Sequence, residues 1–372
     1  MGRLRNFARA VAYRLRVSFH QPLNPRFPLA RNTASISDLA KALDLSVSTI
    51  SRALSDHPGI SDATKKRVWQ LARSLNYQPN HLASALRKGR SNLLGVIVPH
   101  IDGHFFMTVV KGIEALATKA GFSILICQSN EDVRHERQNL ETLLNAQVAG
   151  ILVSLARTTQ DDKHFDKVRK RGIPLVFFDR VPDSPAVSAV VIDDYQGAYQ
   201  ATQHLLDQGC GRIAHFAGPQ HLNIYRHRRQ GYLDALRHAG RPADESLVLY
   251  SDLCVEDGRA GVRQLLRQQP APDAIFSASD FALVGALKEL KAQGLAVPQD
   301  MALVGFSNES FTSFTDPLLS SVDQGSEQLG QSAVRLLLEM LEDEPARFAP
   351  RRTVLQPTLL VRESSLRRPP QA

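Results

Sequence analysis

Short apolar runs of strand length alternate with helical segments along most of this 372-residue chain, and this alternation restricts the fold more than any other feature. The first strands that it predicts are Leu93–Val98, Ser123–Cys127, Gly150–Val153 and Leu175–Phe178. A second series follows Val190-Val191-Ile192 and comprises Arg212–Phe216, Leu247–Tyr250, Ala274–Phe276 and Ala302–Val304. Strands joined by helices form parallel sheets, so the pattern predicts two parallel α/β lobes.

Composition and cysteine spacing exclude several classes of protein. With 43% hydrophobic residues, the chain can bury a large core and form two or three domains. Apolar runs such as Leu93–Val98 are far shorter than the roughly 20 residues of a membrane helix, so no membrane span is expected. Cys127, Cys210 and Cys254 lie far apart, which predicts neither disulfides nor a metal site and favours a reducing compartment.

Positive charge is concentrated in the N-terminal quarter, although the whole chain carries a formal net charge of +8. Residues 1–33 hold seven arginines and no acid, and residues 34–95 hold nine basic and four acidic residues. The remainder holds 29 basic and 33 acidic residues. A polyanionic partner is therefore expected to bind the N-terminal part. For residues 1–33 themselves, the frequent arginines disfavour a secretory signal. A nucleic-acid-binding or surface helix stays open, and a flexible extension or a mis-assigned start is favoured.

Two short helices separated by a tight turn are predicted between residues 35 and 54. Ser35 and Asp38 form an S-x-x-D capping pattern for a helix over Ile36–Leu43. Ser46 can cap a second helix, whose partly inward-facing residues are Val47, Ile50 and Leu54. Such a pair occurs as a plain helical hairpin in many proteins, but it also matches the helix-turn-helix of DNA-binding proteins.

The residues around this pair favour the DNA-binding interpretation. Small hydroxyl side chains at the start of the second helix allow close entry into the major groove, where Arg52 can donate two hydrogen bonds to a guanine. Ser61 begins a third helix, from Asp62 to about Leu75, whose apolar face is Val68, Leu71, Ala72 and Leu75. In the segment NYQPNHLASALRKGRS that follows, Pro79 and Asn80 precede a helix, at roughly 81–87, that is too short to be stable alone.

The segments SISDLAKALDLSVSTISRAL and NYQPNHLASALRKGRSNLLGVIVP resemble the headpiece and hinge of the LacI/GalR family of transcription regulators, and the resemblance extends to about Arg362. It implies that the second helix lies in the major groove and that paired hinge helices lie in the minor groove, with Leu86 wedging open a base step. Asp44 departs from the family's glycine in the turn, but Asp tolerates left-handed geometry. The DNA-binding residues carried over are Ser46, Val47, Ser48, Thr49, Arg52, Asn80, Ala83 and Leu86.

For the rest of the chain the resemblance implies a periplasmic-binding-protein-like core, whose two lobes clamp a small molecule between them. Crossings near Ile192 and Val322 are expected to form the lobe hinge, with Gly325–Leu341 returning to the first lobe and Val354–Val361 to the second. The expected boundaries are a basic extension (1–33), headpiece (34–78), hinge (79–91), lobe 1 (92–190 and 324–345), lobe 2 (191–322 and 346–362) and a tail (363–372).

Candidate effector contacts lie after the predicted strands, where ligands of such sheets bind. Arg228, in GPQHLNIYRHRRQGY, matches the family's effector-binding arginine, although RHRR is also compatible with a solvated charge run. Phe105 and Phe106 are equally compatible with a role in the core. The full set is Phe105, Phe106, Asp179, Arg180, Arg228, Leu253, Ser279, Asp280, Ser307 and Gln324.

Two departures from the family affect the expected ligand. Ser307 stands where the family usually has an aspartate that accepts hydrogen bonds from sugars, and Leu253 stands at a position that often holds an aromatic residue. Sugar specificity therefore cannot be carried over. Because Arg180 and Arg228 can lie near the ligand, an anionic effector such as a sugar acid or sugar phosphate is a hypothesis beside a neutral sugar.

A regulator explains both halves of the chain better than the alternatives do. No G-x-G-x-x-G after a strand, G-x-x-x-x-G-K-[ST], G-x-S-x-G or H-E-x-x-H motif is present, so neither an enzyme nor a cofactor or metal is expected. A transport-associated binding protein would leave the headpiece unexplained. We expect a cytoplasmic, bacterial repressor that binds a near-palindromic operator as a homodimer. No leucine heptad follows the last strand, so a tetramerising coiled coil is not expected.

Overall fold

The computed structural model describes residues 34–77, 91–342 and 349–367, which belong to two compact units that divide after residue 80. The first unit contains helices α1 (Ile36–Leu43), α2 (Val47–Leu54) and α3 (Asp62–Ser74). Ser35 and Asp38 form the predicted capping box, and the hydroxyls of Ser46 and Ser61 cap the other two helices. These three predicted helices are confirmed. The predicted hinge helix lies outside the described residues.

A small core holds the three helices together. It is formed by Leu39, Ala40, Ile50, Ala53, Val68 and Ala72. Asp44 adopts a φ of 53°, so the turn after α1 has the left-handed geometry expected there. Two residues assigned to apolar faces are instead exposed, Val47 by 40% and Leu75 by 39%. Val47 is the first residue of α2 and Leu75 follows the last residue of α3, so both lie at the ends of the packed helices.

The second unit contains twelve strands and eight α-helices within the described residues, and they alternate along the chain as predicted. In chain order they are β1 (Leu93–Val98), α4 (His104–Lys119), β2 (Ser123–Gln128), α5 (Val133–Asn145), β3 (Gly150–Val153), α6 (Asp166–Lys170), β4 (Leu175–Phe178), β5 (Ser188–Ile192), α7 (Asp194–Asp207), β6 (Ile213–Ala217), α8 (Asn223–His238), β7 (Val248–Tyr250), α9 (Val255–Leu265), β8 (Ala274–Ser277), α10 (Asp280–Ala292), β9 (Ala302–Phe306), β10 (Ser320–Asp323), α11 (Ser326–Glu342), β11 (Arg352–Leu355) and β12 (Thr358–Leu360).

These strands form two six-stranded sheets, one in each lobe. The first has the order β11-β5-β4-β3-β1-β2 with every pair parallel, and the second has the order β12-β10-β9-β8-β6-β7 with only β10 and β12 antiparallel. The predicted pair of parallel α/β lobes is thus confirmed. The chain passes between the lobes after β5, after β10 and between β11 and β12.

One predicted lobe assignment is wrong. The segment Val354–Val361 was expected in the second lobe, but Arg352–Leu355 pairs with β5 in the first sheet. Only Thr358–Leu360 joins the second sheet, through β10. The physical reason is that β5 has a free edge, whose backbone groups pair with those of β11.

Close packing of α4 against α11 fixes the position of α4 in the first lobe. A Cβ atom on Gly112 would lie 2.3 Å from the carbonyl oxygen of Glu327, and one on Gly330 would lie 2.1 Å from that of Val109. Only glycine allows the two helix backbones to approach this closely. This packing therefore fixes the N-terminal end of α4, which faces the second lobe.

On one face of the second sheet, the side chain of His215 in β6 is completely buried and contacts two aromatic rings. It stacks on Phe276 and on Tyr232, with ring centroids 4.9 Å apart in each case. Its Nδ1 lies 3.0 Å from the carbonyl oxygen of Phe276, so that nitrogen carries the proton. Burial lowers the pKa of His215 to about 3, because the charged ring would lose its hydration.

Replacing His215 by Phe is expected to remove a pH dependence of folding stability. The unfolded chain takes up a proton below its ordinary pKa of 6.5, whereas the folded protein does not until about pH 3. The wild type should therefore lose about 2 kcal/mol through this residue between pH 7 and pH 5. Urea unfolding at both pH values checks this, and an equal loss in the wild type and in H215F would contradict it.

Candidate functional site

A cavity of about 540 Å³ lies between the two lobes of the second unit. Its walls come from the loops that follow the parallel strands of both sheets and from the start of α8, which is where ligands of such sheets bind. Nine of the ten residues predicted to contact an effector line it: Phe105, Phe106, Asp179, Arg180, Arg228, Leu253, Ser279, Ser307 and Gln324.

Asp280, the tenth, does not line the cavity. Its carboxylate accepts hydrogen bonds from the hydroxyl of Ser321, at 2.8 and 2.9 Å, and from the backbone N–H of Glu309, at 2.9 Å. Burial raises the pKa of Asp280 to about 7. Because the side chain turns toward Ser321, Asp280 supports the loop that carries Glu309, and its prediction as a lining residue is wrong.

Arg228 lies on α8 and is only 3% exposed, so a solvated charge run does not describe it. Its Nε lies 2.8 Å from Oδ1 of Asp194, and its Nη1 donates to the carbonyl of Ala278 at 2.8 Å. The guanidinium carbon lies 3.7 Å from the centroid of the Phe306 ring. Burial raises the pKa of Asp194 to about 7, and the charge of Arg228 opposes this rise. The pair holds the arginine rigidly at the cavity wall.

Arg180 and Asp179 follow β4 and belong to a second charged network. The Nη1 of Arg180 lies 2.6 Å from Oε2 of Glu131, which also accepts the backbone N–H of Arg157 at 2.7 Å. Burial opposes ionisation of Glu131, but Arg180 and these hydrogen bonds hold its pKa below the ordinary value. Asp179 has a left-handed φ of 58° and accepts a hydrogen bond from Ser154, and burial raises its pKa.

Phe105 and Phe106 serve the core and the cavity at once. Both are almost fully buried in the large hydrophobic cluster of the second unit, with ring centroids 4.9 Å apart in an edge-to-face arrangement. Both also line the cavity. The two interpretations left open for them are therefore compatible, because the rings close the apolar side of the wall.

Leu253 and Ser307 lie in loops with unusual backbone geometry. Leu253 has a φ of 63° and Ser307 a φ of 113°, both in the left-handed region that L-residues rarely adopt. The hydroxyl of Ser307 accepts a hydrogen bond from Gln324 at 2.9 Å. Such strained geometry is typical of loops that are shaped for binding.

More than half of the residues that line the cavity were not predicted from the sequence. Asn130 and Glu131 could have been found by the rule that led to Asp179, because both lie within four residues of the end of a predicted strand. Arg157 likewise follows β3 by a few residues. The missed lining residues are His100, Asp102, Gln128, Asn130, Glu131, Arg157, Ile224, Tyr225, Asp252, Cys254, Val255, Glu256, Ala278, Phe281 and Glu309.

The charges that line the cavity are mostly negative. Six carboxylates line it, from Asp102, Glu131, Asp179, Asp252, Glu256 and Glu309. The three lining guanidiniums already have carboxylate partners: Arg180 with Glu131, Arg228 with Asp194, and Arg157 with Asp252 at 3.5 Å. These pairings weaken the argument for an anionic effector, which required guanidiniums free to bind it.

Polar contacts join the two lobes around the cavity. Asn223 at the start of α8 accepts the backbone N–H of Val181 at 3.0 Å and donates to the carbonyl of Asp179 at 3.2 Å. The Nε2 of His221 lies 2.7 Å from the carbonyl oxygen of Arg157. These contacts couple the loop after β4 and the loop after β3 to the second lobe.

In the first unit, α2 presents the predicted DNA-reading surface. Ser46, Val47, Ser48 and Arg52 are exposed and Thr49 is partly exposed. The Ser46 hydroxyl accepts the backbone N–H of Thr49 at 3.1 Å, so this serine is the helix cap. The predicted DNA contacts Asn80, Ala83 and Leu86 lie outside the described residues.

Comparison with known proteins follows the same division of the chain. A family model described as bacterial regulatory proteins of the lacI family matches residues 35–80. A second, described as periplasmic binding proteins and the sugar binding domain of the LacI family, matches residues 91–360. The chain belongs to the LacI family. It is accordingly a DNA-binding transcription regulator with a periplasmic-binding-protein-like domain, and its relatives are regulators rather than enzymes.

Individual LacI-family proteins resemble it over nearly their whole length. The repressor CytR of Escherichia coli K12 is 32% identical over 84% of this chain and 91% of its own. DegA of Bacillus subtilis is 31% identical over 89% and 98%. A structure of the regulator CelR with cellobiose has a TM-score of 0.67 at 32% identity, covering 89% and 99%. The lac repressor dimer on its operator, with a TM-score of 0.79 at 24% identity over 90% and 100%, shares the fold.

Among residues 34–77, 91–342 and 349–367, none of the helices combines the length and the apolar character that crossing a membrane requires.

Proposed function

We propose that this regulator is a cytoplasmic, homodimeric repressor whose operator affinity is controlled by a sugar or sugar derivative bound between its lobes. The observation that carries the proposal is the polar cavity, lined by nine predicted effector contacts, in a chain that also has an exposed helix-turn-helix. Similarity to the repressor CytR and to the regulator CelR, which was solved in complex with cellobiose, supports it.

The proposed mechanism is allosteric. Effector binding changes the relation between the lobes, because the ligand contacts residues on both sides of the cavity, including Asp179 in the first lobe and Arg228 in the second. This change alters the pairing of the hinge helices and hence operator affinity. Coupling of this kind typically amounts to about 1–3 kcal/mol.

The lining groups favour a ligand with several hydroxyl groups. Carboxylates such as Asp179 accept hydrogen bonds from hydroxyls, while a guanidinium already paired with a carboxylate can still donate its remaining N–H groups. Phe105 and Phe106 offer an apolar wall to a sugar ring. We therefore propose a neutral sugar or a similar polyol before a sugar acid or sugar phosphate.

On DNA, we propose that each subunit reads one half of a near-palindromic operator. The exposed residues of α2 enter the major groove, with Val47, Ser48 and Arg52 at the bases and Ser46 and Thr49 near the phosphates. In the hinge, Asn80 and Ala83 contact DNA beside the wedge residue Leu86. A single headpiece would bind only weakly, so specific binding needs the dimer.

Replacing Leu86 by Ala is expected to weaken operator binding at least tenfold and to leave effector affinity unchanged. The wedge stabilises a kinked minor groove, and alanine cannot fill the opened base step. Fluorescence anisotropy with operator DNA measures the first effect, and calorimetry with the effector measures the second. Operator affinity equal to that of the wild type would contradict the proposed role of Leu86.

The proposed function is tested by titrating the protein on its operator with neutral sugars, sugar acids and sugar phosphates at one ionic strength. We expect one of these classes to change operator affinity by a factor between about 5 and 150. A scrambled DNA of equal length and charge is the control. If no member of the panel alters specific binding, control by a sugar-like effector is wrong.

A further inference from the structure

Glu309 crosses the cavity and binds the first turn of a helix in the opposite lobe. It lies after β9 in the second lobe, and its carboxylate accepts the backbone N–H groups of His104, at 2.8 Å, and Phe105, at 3.3 Å, in the first lobe. The residue that precedes α4 is Gly103, which has no side chain to cap the helix. Glu309 therefore supplies, from the other lobe, the cap that α4 lacks.

The loop around Glu309 is built to hold it in this position. Its backbone N–H donates to the carboxylate of Asp280, which two hydrogen-bond contacts tie to Ser321. Ser307 and Asn308, directly before it, have φ values of 113° and 50°. The side chain is only 5% exposed. A strained loop thus holds a buried carboxylate at the N-terminal end of α4.

This placement affects which ligands the cavity can accept. The N-terminal end of a helix carries about half a positive charge and unpaired N–H groups, and it is a favourable position for an anion. In this cavity that position is already filled by Glu309. The lining guanidiniums of Arg157, Arg180 and Arg228 have carboxylate partners as well. An anionic ligand would therefore meet Glu309 at α4, where the N–H groups of His104 and Phe105 already have an acceptor.

We propose that Glu309 determines the charge specificity of the cavity: it occupies the anion position at α4 and thereby excludes anionic effectors in favour of uncharged ones. This inference rests on the proposed effector site and adds the charge class of its ligand. It also assigns a role to Asp280, which holds the backbone of Glu309 in place.

The test measures binding of inorganic phosphate to the full chain by calorimetry at constant ionic strength. In E309A the N–H groups of His104 and Phe105 lose their carboxylate, so phosphate is expected to bind at least tenfold more tightly than to the wild type. E256A is the matched control, because Glu256 lines the same cavity from α9, whereas the N–H groups of α4 are bound by Glu309. E256A removes one lining charge but frees no N–H group of α4, so it should gain much less phosphate affinity than E309A does, about twofold at most. Phosphate bound elsewhere, including on the basic headpiece, contributes equally to all variants.

E309Q provides a second measurement if E309A does not fold. The amide has the size of the carboxylate and can accept one N–H, but it lacks the charge, so a smaller gain of about threefold is expected. If E256A gained as much phosphate affinity as the Glu309 variants, the effect would come from the overall charge of the cavity, and the proposal would be overturned. Tight binding of phosphate in the wild-type cavity, or no gain in either Glu309 variant, would also overturn it. A failed sugar panel would refute the proposed function and leave this phosphate result unchanged.

Discussion

Arg52→Ala is expected to reduce operator affinity of the dimer at least thirtyfold and to relax the preference for one base in each half-site. Arg52 is exposed on α2, where a guanidinium can donate two hydrogen bonds to a guanine. Each such contact discriminates by about 1–3 kcal/mol, and a dimer makes two of them. The loss should therefore concern specific binding far more than non-specific binding.

Anisotropy with the operator and with operators substituted at single positions measures this change, at one salt concentration throughout. Arg67→Ala is the matched control, because Arg67 is an exposed arginine on α3 and not on the reading helix. It should weaken binding to all sequences by a similar small factor. A base preference in R52A equal to that of the wild type would contradict the assignment of Arg52.

Arg228→Ala is expected to lower the free energy of unfolding by about 3–5 kcal/mol, more than the other substitutions proposed for this protein. Removing the guanidinium leaves the buried carboxylate of Asp194 without its partner and removes the contact with the Phe306 ring. The double variant R228A/D194A should be more stable than R228A, because it removes the buried carboxyl group that has lost its partner. Urea unfolding of the four proteins of this cycle measures the coupling, and additive losses would contradict a buried ion pair.

The same variant should show a change in pH dependence. Burial raises the pKa of Asp194 while Arg228 opposes the rise, so R228A raises that pKa further. A carboxyl with a raised folded pKa loses its stabilising contribution as the pH increases from its unfolded value through the folded one. R228A should accordingly be more destabilised, relative to the wild type, at pH 8 than at pH 5.

Local and periodic features of the fold were predictable from the sequence. Ser35, Ser46 and Ser61 cap their helices as expected, because N-capping depends on residues only two or three positions apart. The two lobes follow from the alternation of strands and helices. The lobe of Arg352–Leu355 was not predictable in this way, because it depends on which sheet edge is free.

Prediction of the cavity residues from the sequence was limited in the same way. Positions after strands identified Asp179 and Arg180, because the topology brings all such positions to one edge of each sheet. Partners distant in sequence were missed: Asp194 is 34 residues from Arg228, and Glu309 is 205 residues from His104. Asp280 was misassigned, because the direction of a side chain in a turn depends on neighbours such as Ser321 that only the folded chain brings close.

The most direct test of the account is in vitro selection of DNA by the purified protein, from a random or genomic library at one ionic strength. We predict recovery of a near-palindromic sequence whose half-sites each fit one headpiece. Binding that depends on salt but enriches no sequence, both alone and with a metabolite extract added, would contradict specific operator recognition.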